Sequence, residues 1–389
     1  MNTETRIVVL GAGYTGMLAA VRLARRTRGR GVHITIVNPV ARFAERLRMH
    51  QVAAGQELAD YRIPDLLRGT GIEFLQGRAT AIDPVLRRVT VDDTRLLDYD
   101  HLIYALGGVA ATDTVPGAAE YACTLDNPVA VHHFSRRAAE IAARGGEVAV
   151  IGGGLTGIEA ATEIAAGNPG LRVTLISNAE PGAMMGERAR GYLNRALDRL
   201  GIARLVGSAV TEVRPDAVEL ASGERIPADL TLWTAGVRGV PLAAQSGIAT
   251  DARGLILVDQ TLKSLSHPEI HAVGDAAAVR MPWGPLHGTC QSGMPTAAYT
   301  ADAIARELRG KPVRPFRFGY IHQPVSLGRD DAVIQFTHRD DTPRRWYLTG
   351  RAAVRYKEMV SGSPVPVFHL SKKMNVAVTL PAGEYATAA

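Results

Sequence analysis

Residues 6–38 run RIVVL-GAGYTG-MLAAVRLARR and, after a short loop, HITIVN; residues 147–178 run EVAVI-GGGLTG-IEAATEIAAG and then RVTLISN. Each stretch is a short apolar strand, a glycine turn, a segment with helical spacing of apolar residues, and a second short apolar strand. That is a βαβ unit, and it predicts a parallel sheet covered by helices. The likeness spreads outward from the two turns. Residues 72–106 hold strand candidates EFLQGRATAID, RVTVDD and HLIYALG, and their counterparts after the second unit are ARLVGSAVTEV, AVELASG and DLTLWTAG. A chain of 389 residues has room for two or three cores, and the repeat predicts where two of them lie.

The glycine turns carry the first chemistry. Gly11, Gly13 and Gly16 have the spacing G-x-G-x-x-G between a strand and a helix, and Gly152, Gly154 and Gly157 repeat it. In such a turn the first glycine permits the bend and the second lets backbone approach a pyrophosphate. The third lets helix pack on strand, and the helix N-terminus then faces the phosphates. Tyr14 and Thr15 open the first helix, and Leu155 and Thr156 open the second, so both pairs belong to the expected nucleotide sites. About 20 residues on, an acid ordinarily takes the ribose hydroxyls. Asn38 and Ser177 stand at those strand ends. Asn38 can still donate to or accept from a ribose. Ser177 removes the charge that would repel a 2′-phosphate, and Arg188 and Arg190 follow within reach, so the second site is expected to accept NADPH as well as NADH.

A third segment, TLKSLSHPEIHAVGD from Thr261 to Asp275, resembles the second FAD fingerprint of the pyridine-nucleotide-linked flavoprotein reductases. The resemblance implies that Asp275, after Gly274, binds the ribityl chain of FAD. Tyr104-Ala105-Leu106-Gly107-Gly108 and Trp233-Thr234-Ala235-Gly236 resemble the family's two strand-to-loop crossings, which places Gly107 and Gly236 beside cofactor. The fold so implied is α/β, with two Rossmann-type three-layer domains and a small C-terminal α+β domain. The FAD domain comprises residues 1–115 and 250–315, the NAD(P) domain is residues 116–249 between them, and residues 316–389 form the last domain. Within this superfamily the chain is most similar to type II NADH dehydrogenases and related NADH dehydrogenase-like proteins. Gly152 to Glu159 matches their second motif, whose glutamate is implicated in proton movement, so the resemblance makes Glu159 a catalytic candidate. Gln291 corresponds to a glutamine beside the flavin. A second glutamine of the quinone-reducing members is Pro295 here, which weakens the case for quinone. Lys357, in Arg355-Tyr356-Lys357-Glu358, resembles the lysine that precedes their C-terminal membrane helix. The following SGSPVP is expected to prevent such a helix.

Composition narrows the remaining classes. Only five of the 44 basic residues are lysine and none cluster, which argues against a nucleic-acid surface. Cys123 and Cys290 are the only cysteines, are far apart and form no C-x-x-C, so neither a disulfide reductase nor a zinc site is expected. Adjacent His132 and His133 point in different directions, and no metal is assigned. Met1 runs almost directly into a strand, leaving no room for a signal peptide, so a cytoplasmic location is expected. These readings predict an FAD-dependent NAD(P)H oxidoreductase passing electrons to a quinone or another small-molecule acceptor, with oligomerisation possible. The alternatives are a sulfide:quinone reductase-like enzyme using the two cysteines, a nucleotide-sensing flavoprotein like apoptosis-inducing factor, and a biosynthetic flavin oxidoreductase.

Overall fold

Strand Thr5–Leu10 is buried from Ile7 to Leu10, as a central parallel strand with helices on both faces must be. The computed structural model describes residues 4–378 and 383–387, apart from the side chain of Cys290. Around that strand a five-stranded sheet has the order Ile270–Ala272, His101–Tyr104, Thr5–Leu10, Val32–Asn38 and Glu73–Gln76, parallel throughout. The second sheet, also five-stranded and parallel, has the order Ala122–Thr124, Leu230–Trp233, Glu147–Ile151, Arg172–Ser177 and Ala203–Val206. Position for position the two sheets have the same build. In the first, the edge strand arrives from beyond the second unit. In the second, it arrives from before it.

Each sheet carries a three-stranded antiparallel meander, Ala79–Asp83 with Arg88–Val91 and Arg95–Asp98, and Val210–Val213 with Ala217–Leu220 and Arg225–Pro227. The two strand-to-loop crossings meet each other. Gly108–Ala110 pairs antiparallel with Val237–Gly239, so the linkers between the two halves form one short ribbon.

The remaining chain is an antiparallel sheet of His322–Ser326, Ala332–Thr337 and Pro343–Thr349, followed by helices Gly350–Gly362 and Pro364–Ser371. The last helix begins within SGSPVP, is eight residues long and packs on the protein's own core, so it is not a membrane helix of the kind that the relatives carry. Pro364 and Pro366 fall in its first turn, where backbone N–H groups have no helical partner to lose, and proline is tolerated there. Its inner face, Val365 and Phe368, packs into the same core as helix Tyr14–Arg26, with Phe368 edge-on to Phe43. Among the described residues no helix is long and apolar enough to cross a membrane.

Candidate functional site

The glycine turns show which features are packing and which are left for a ligand. A Cβ on Gly16 would lie 1.8 Å from the carbonyl oxygen of Gly11, and one on Gly157 would lie 1.9 Å from that of Gly152. Gly11 and Gly152 hold φ of +95° and +120°, which favours glycine. A Cβ on Gly13 or Gly154 would meet nothing within 4 Å. That open side is what close approach of a pyrophosphate requires. Neither Gly13 nor Gly154 supplies a side-chain cap, so the first N–H groups of the helices Tyr14–Arg26 and Leu155–Gly167 are left for an anion.

Around the first turn residues from several distant segments converge. The methyl of Thr15 lies 2.8 Å from the Cβ position of Gly274, whose N–H donates to Thr296 Oγ1 at 2.9 Å. Burial raises the Asp275 carboxyl above the usual carboxylate range, and Arg46 opposes that only in part. Arg46 also donates to the carbonyl of Gly108 at 2.6 Å, next to Gly107. Asn38 has a different first duty from the one expected. Its Oδ1 accepts from the Ala12 N–H at 3.0 Å and its Nδ2 donates to Val40 O at 2.8 Å, so it braces the glycine turn. Ser177 is likewise turned inward, its hydroxyl donating to Ala179 O at 2.7 Å. Arg188 is exposed at the start of helix Glu187–Arg199, whereas Arg190 is half-buried. Gly236 opens the loop into the ribbon, within reach of Ala111.

The three catalytic candidates lie far apart in sequence and gather at one junction. Glu159 and Lys357 are 7% and 8% exposed, and Lys357 Nζ stands 2.6 Å from Glu159 Oε1. The same oxygen accepts from the Ser326 N–H at 3.0 Å, and Lys357 donates to Pro324 O at 3.3 Å. Burial pushes the Glu159 carboxyl up, but Lys357, His50 and the hydrogen bonds to the carboxylate outweigh it, and the net shift is downward. Glu159 is therefore a buried carboxylate held charged by a buried ammonium. Gln291 binds the same strand from the other side, its Nε2 donating to His322 O at 2.9 Å and its Oε1 accepting from Ile321 N at 2.8 Å. His322 Nδ1 lies 2.6 Å from the Tyr356 hydroxyl, one residue before Lys357. Burial, reinforced by Lys357, lowers the His322 imidazole to about 4. Helix Leu155–Gly167, helix Cys290–Glu307 and helix Gly350–Gly362 are thus tied together through strand His322–Ser326.

Several members of this junction escaped the sequence reading. His50, buried on the short helix Met49–Ala53, has Nδ1 3.8 Å from Glu159 Oε2, and burial lowers its pKa. Glu163, one turn after Glu159, accepts from Ser326 Oγ at 2.6 Å and Gln56 Nε2 at 3.0 Å, with Arg329 at 3.6 Å. Arg329 and Arg48 both reach Glu358, at 3.2 and 2.8 Å. The spacing of Glu159 and Glu163 on one helical face was legible; a lone histidine inside MHQVA carries no signal that separates it from core. Cys123, half-buried on an edge strand of the second sheet, is a packed thiol that burial raises to about 11, which leaves it protonated. The Cys290 side chain lies outside those described.

The sequence model of the pyridine nucleotide-disulphide oxidoreductases matches residues 5–303. An NADH dehydrogenase-like protein of Mycobacterium tuberculosis is 32% identical over 85% of this chain and 87% of its own length. A type II NADH:quinone oxidoreductase of Staphylococcus epidermidis is 27% identical over 91% of this chain and 94% of its own. The sulfide:quinone oxidoreductase of Aquifex aeolicus shares the fold, with a TM-score of 0.79 at 20% identity over 94% of this chain and 92% of that one.

Proposed function

The chain belongs to the pyridine nucleotide-disulphide oxidoreductase family and is an FAD-dependent NAD(P)H oxidoreductase, and we propose that it delivers electrons to a small quinone-like acceptor at the Glu159–Lys357–Gln291 junction. FAD, which Gly11, Gly13, Gly16, Gly274 and Asp275 would hold, would supply acceptance of hydride from the nicotinamide and onward delivery of electrons. The remaining work falls to the protein's own side chains. We assign FAD to residues 1–115 and 250–315 and the nicotinamide nucleotide to 116–249; the matching strand order of the two sheets supports this division. On this reading Gly11, Gly13, Gly16, Gly107, Gly274 and Asp275 hold the flavin nucleotide. Gly152, Gly154, Gly157 and Gly236 hold the other.

The observation that carries the catalytic assignment is the buried Glu159–Lys357 pair at 2.6 Å. A pair removed from water gives little net stability against an apolar alternative, so its retention at a three-way junction points to chemistry. The ammonium supplies a positive field for an acceptor gaining charge, and the carboxylate, held ionised, keeps that ammonium charged and in place. The relatives named as quinone oxidoreductases support a quinone-like acceptor. We further infer that NADPH is accepted beside NADH. No carboxylate stands at Ser177, whose hydroxyl is already committed, and exposed Arg188 is free to approach a 2′-phosphate.

Anaerobic stopped-flow with each nucleotide, watching the flavin absorbance bleach, tests both points. Rapid bleaching with NADH and NADPH is expected, and Ser177→Glu should shift the preference towards NADH. In Lys357→Met, bleaching should persist while turnover with a small quinone falls by about a hundredfold. Equal loss of both half-reactions would remove the assignment of Lys357 to the acceptor side.

A further inference from the structure

A second cluster of chemistry-bearing side chains lies at the opposite end of the first sheet from its glycine turn. His101 opens strand His101–Tyr104, and His271 lies on the neighbouring strand Ile270–Ala272, which pairs with it in parallel register, Ile270 to Leu102 and His271 to Ile103. Side chains two residues apart on a strand share a face, so His101 and His271 project the same way. Their ring centroids are 5.8 Å apart. Helix Cys290–Glu307 ends on that face, and its last residue, Glu307, completes a trio whose ligand atoms all lie within 4.8 Å of one another.

His271 is 0% exposed, and among the described residues neither of its ring nitrogens has a hydrogen-bond partner; Nδ1 of His101 is buried and likewise unpartnered among them. A neutral imidazole carries one donor and one acceptor, and leaving both unmet away from water is unfavourable. Burial lowers both imidazoles, so they are neutral at pH 7 and their lone pairs are available. Lys263 Nζ stands 2.6 Å from Glu307 Oε1, leaving the second carboxylate oxygen for a metal and acting as the outer partner that fixes the carboxylate. Beyond Lys263 and Glu307, the charged groups nearest His101 are Asp100 and Arg87, of opposite sign.

We propose that His101, His271 and Glu307 form a binding site for a zinc-like divalent cation, separate from the flavin and nicotinamide sites. Two imidazoles and one carboxylate are a zinc donor set, with water as the fourth ligand. Tetrahedral zinc holds its ligand atoms roughly 3.3 Å apart, so the trio closes around the ion chiefly by movement of Glu307, a half-exposed residue with a flexible side chain at a helix end. The ion ties together strands His101–Tyr104 and Ile270–Ala272 and the long helix Cys290–Glu307, elements that meet across the whole intervening second unit. This is a structural role, and it stands whatever the acceptor is.

Isothermal titration of zinc into flavin-loaded protein dialysed against a chelator tests the site. One zinc per chain is expected, with a rise in melting temperature. His101→Gln, His271→Gln and Glu307→Gln should each weaken binding by about a hundredfold while flavin content and visible spectrum are unchanged. A His132→Ala/His133→Ala variant should bind as the parent does. His101→Gln and Glu307→Gln alter half-exposed residues and keep the test open if His271→Gln fails to fold. Absence of stoichiometric zinc would mean that water alone serves the histidines. Binding that survives the three substitutions, or is lost with His132 and His133, would place the ion elsewhere. Either result overturns the proposal.

Discussion

Removing the ammonium of Lys357 leaves the Glu159 carboxylate buried with, among the described residues, only the Ser326 N–H at hydrogen-bond distance and His50 3.8 Å away. Breaking one side of a buried pair costs about 3–5 kcal/mol. The sign with pH is definite. In the parent protein the net shift of Glu159 is below its ordinary 4.5, so its contribution to stability is present above that value and is lost as pH falls through the folded pKa. In Lys357→Met, burial acts without its main opponent and the folded pKa rises above 4.5. The stability deficit of the variant should therefore be largest at neutral pH and shrink in acid, where protonation removes the charge. Melting curves from neutral to acid pH check this, and a constant deficit would show that lost packing is the cause. Glu159→Gln/Lys357→Met should be less damaged than Lys357→Met, because no charge is stranded. Glu159 and Lys357 were each legible from their motifs. Their contact was not, because a βαβ pattern fixes which face of a helix is inward but not which distant helix will cover it. His50 shows the same limit more sharply, since its role exists only once Glu159 is beside it.

At the scale of elements, the glycine turns and the last helix make contrasting demands. Gly157→Ala would put a methyl 1.9 Å from the Gly152 carbonyl oxygen, and helix Leu155–Gly167 must move off its strand. A purified protein that keeps its yellow colour but no longer bleaches with NAD(P)H is the expected result, because the first sheet is built without that helix. Gly16→Ala makes the equivalent clash in the first unit and should instead lose flavin on purification. If both variants kept full bleaching, the two turns would not be the nucleotide sites. Helix Pro364–Ser371 depends on a different contact. Phe368 is fully buried against Phe43, and Phe368→Ala should lower stability by about 3–5 kcal/mol, measured by denaturant unfolding. The turns were readable because a glycine requirement is local. The short helix was not legible in SGSPVP, because Pro364 and Pro366 are tolerated only at a first turn and what holds the segment is Val365 and Phe368 entering a core built with distant residues such as Met17, Leu18 and Phe43.

Over the whole molecule, the sheets share one strand order, yet each is completed by a strand from outside its contiguous unit, Ile270–Ala272 in the first and Ala122–Thr124 in the second. The three-residue edge strand Ala122–Thr124 carries too little periodicity to be read, whereas the central strands announce themselves by apolar runs. Assembling these elements buries histidines at several junctions at once, on the first sheet, on helix Met49–Ala53 and on strand His322–Ser326, and this sets how the protein as a whole meets acid. Burial lowers the imidazoles of His50, His101 and His271, and that of His322 falls to about 4. A histidine whose folded pKa lies below its unfolded 6.5 contributes its full stability above 6.5. As pH falls from there towards the folded value, the unfolded chain takes a proton that the folded chain refuses. Each such group removes about 1.4 kcal/mol per pH unit, and Glu159 begins to add to the loss only below its ordinary 4.5. Chelator-dialysed protein should therefore show a melting temperature that is level above pH 6.5 and falls steeply between 6.5 and about 4, earlier than carboxylates alone would cause. His322→Asn should flatten part of that slope, since it removes one of the refused protons while keeping a polar partner for Tyr356. A melting temperature that stays level to pH 5 would mean that the histidines accept protons in the folded state, and that the junctions admit more water than their burial implies.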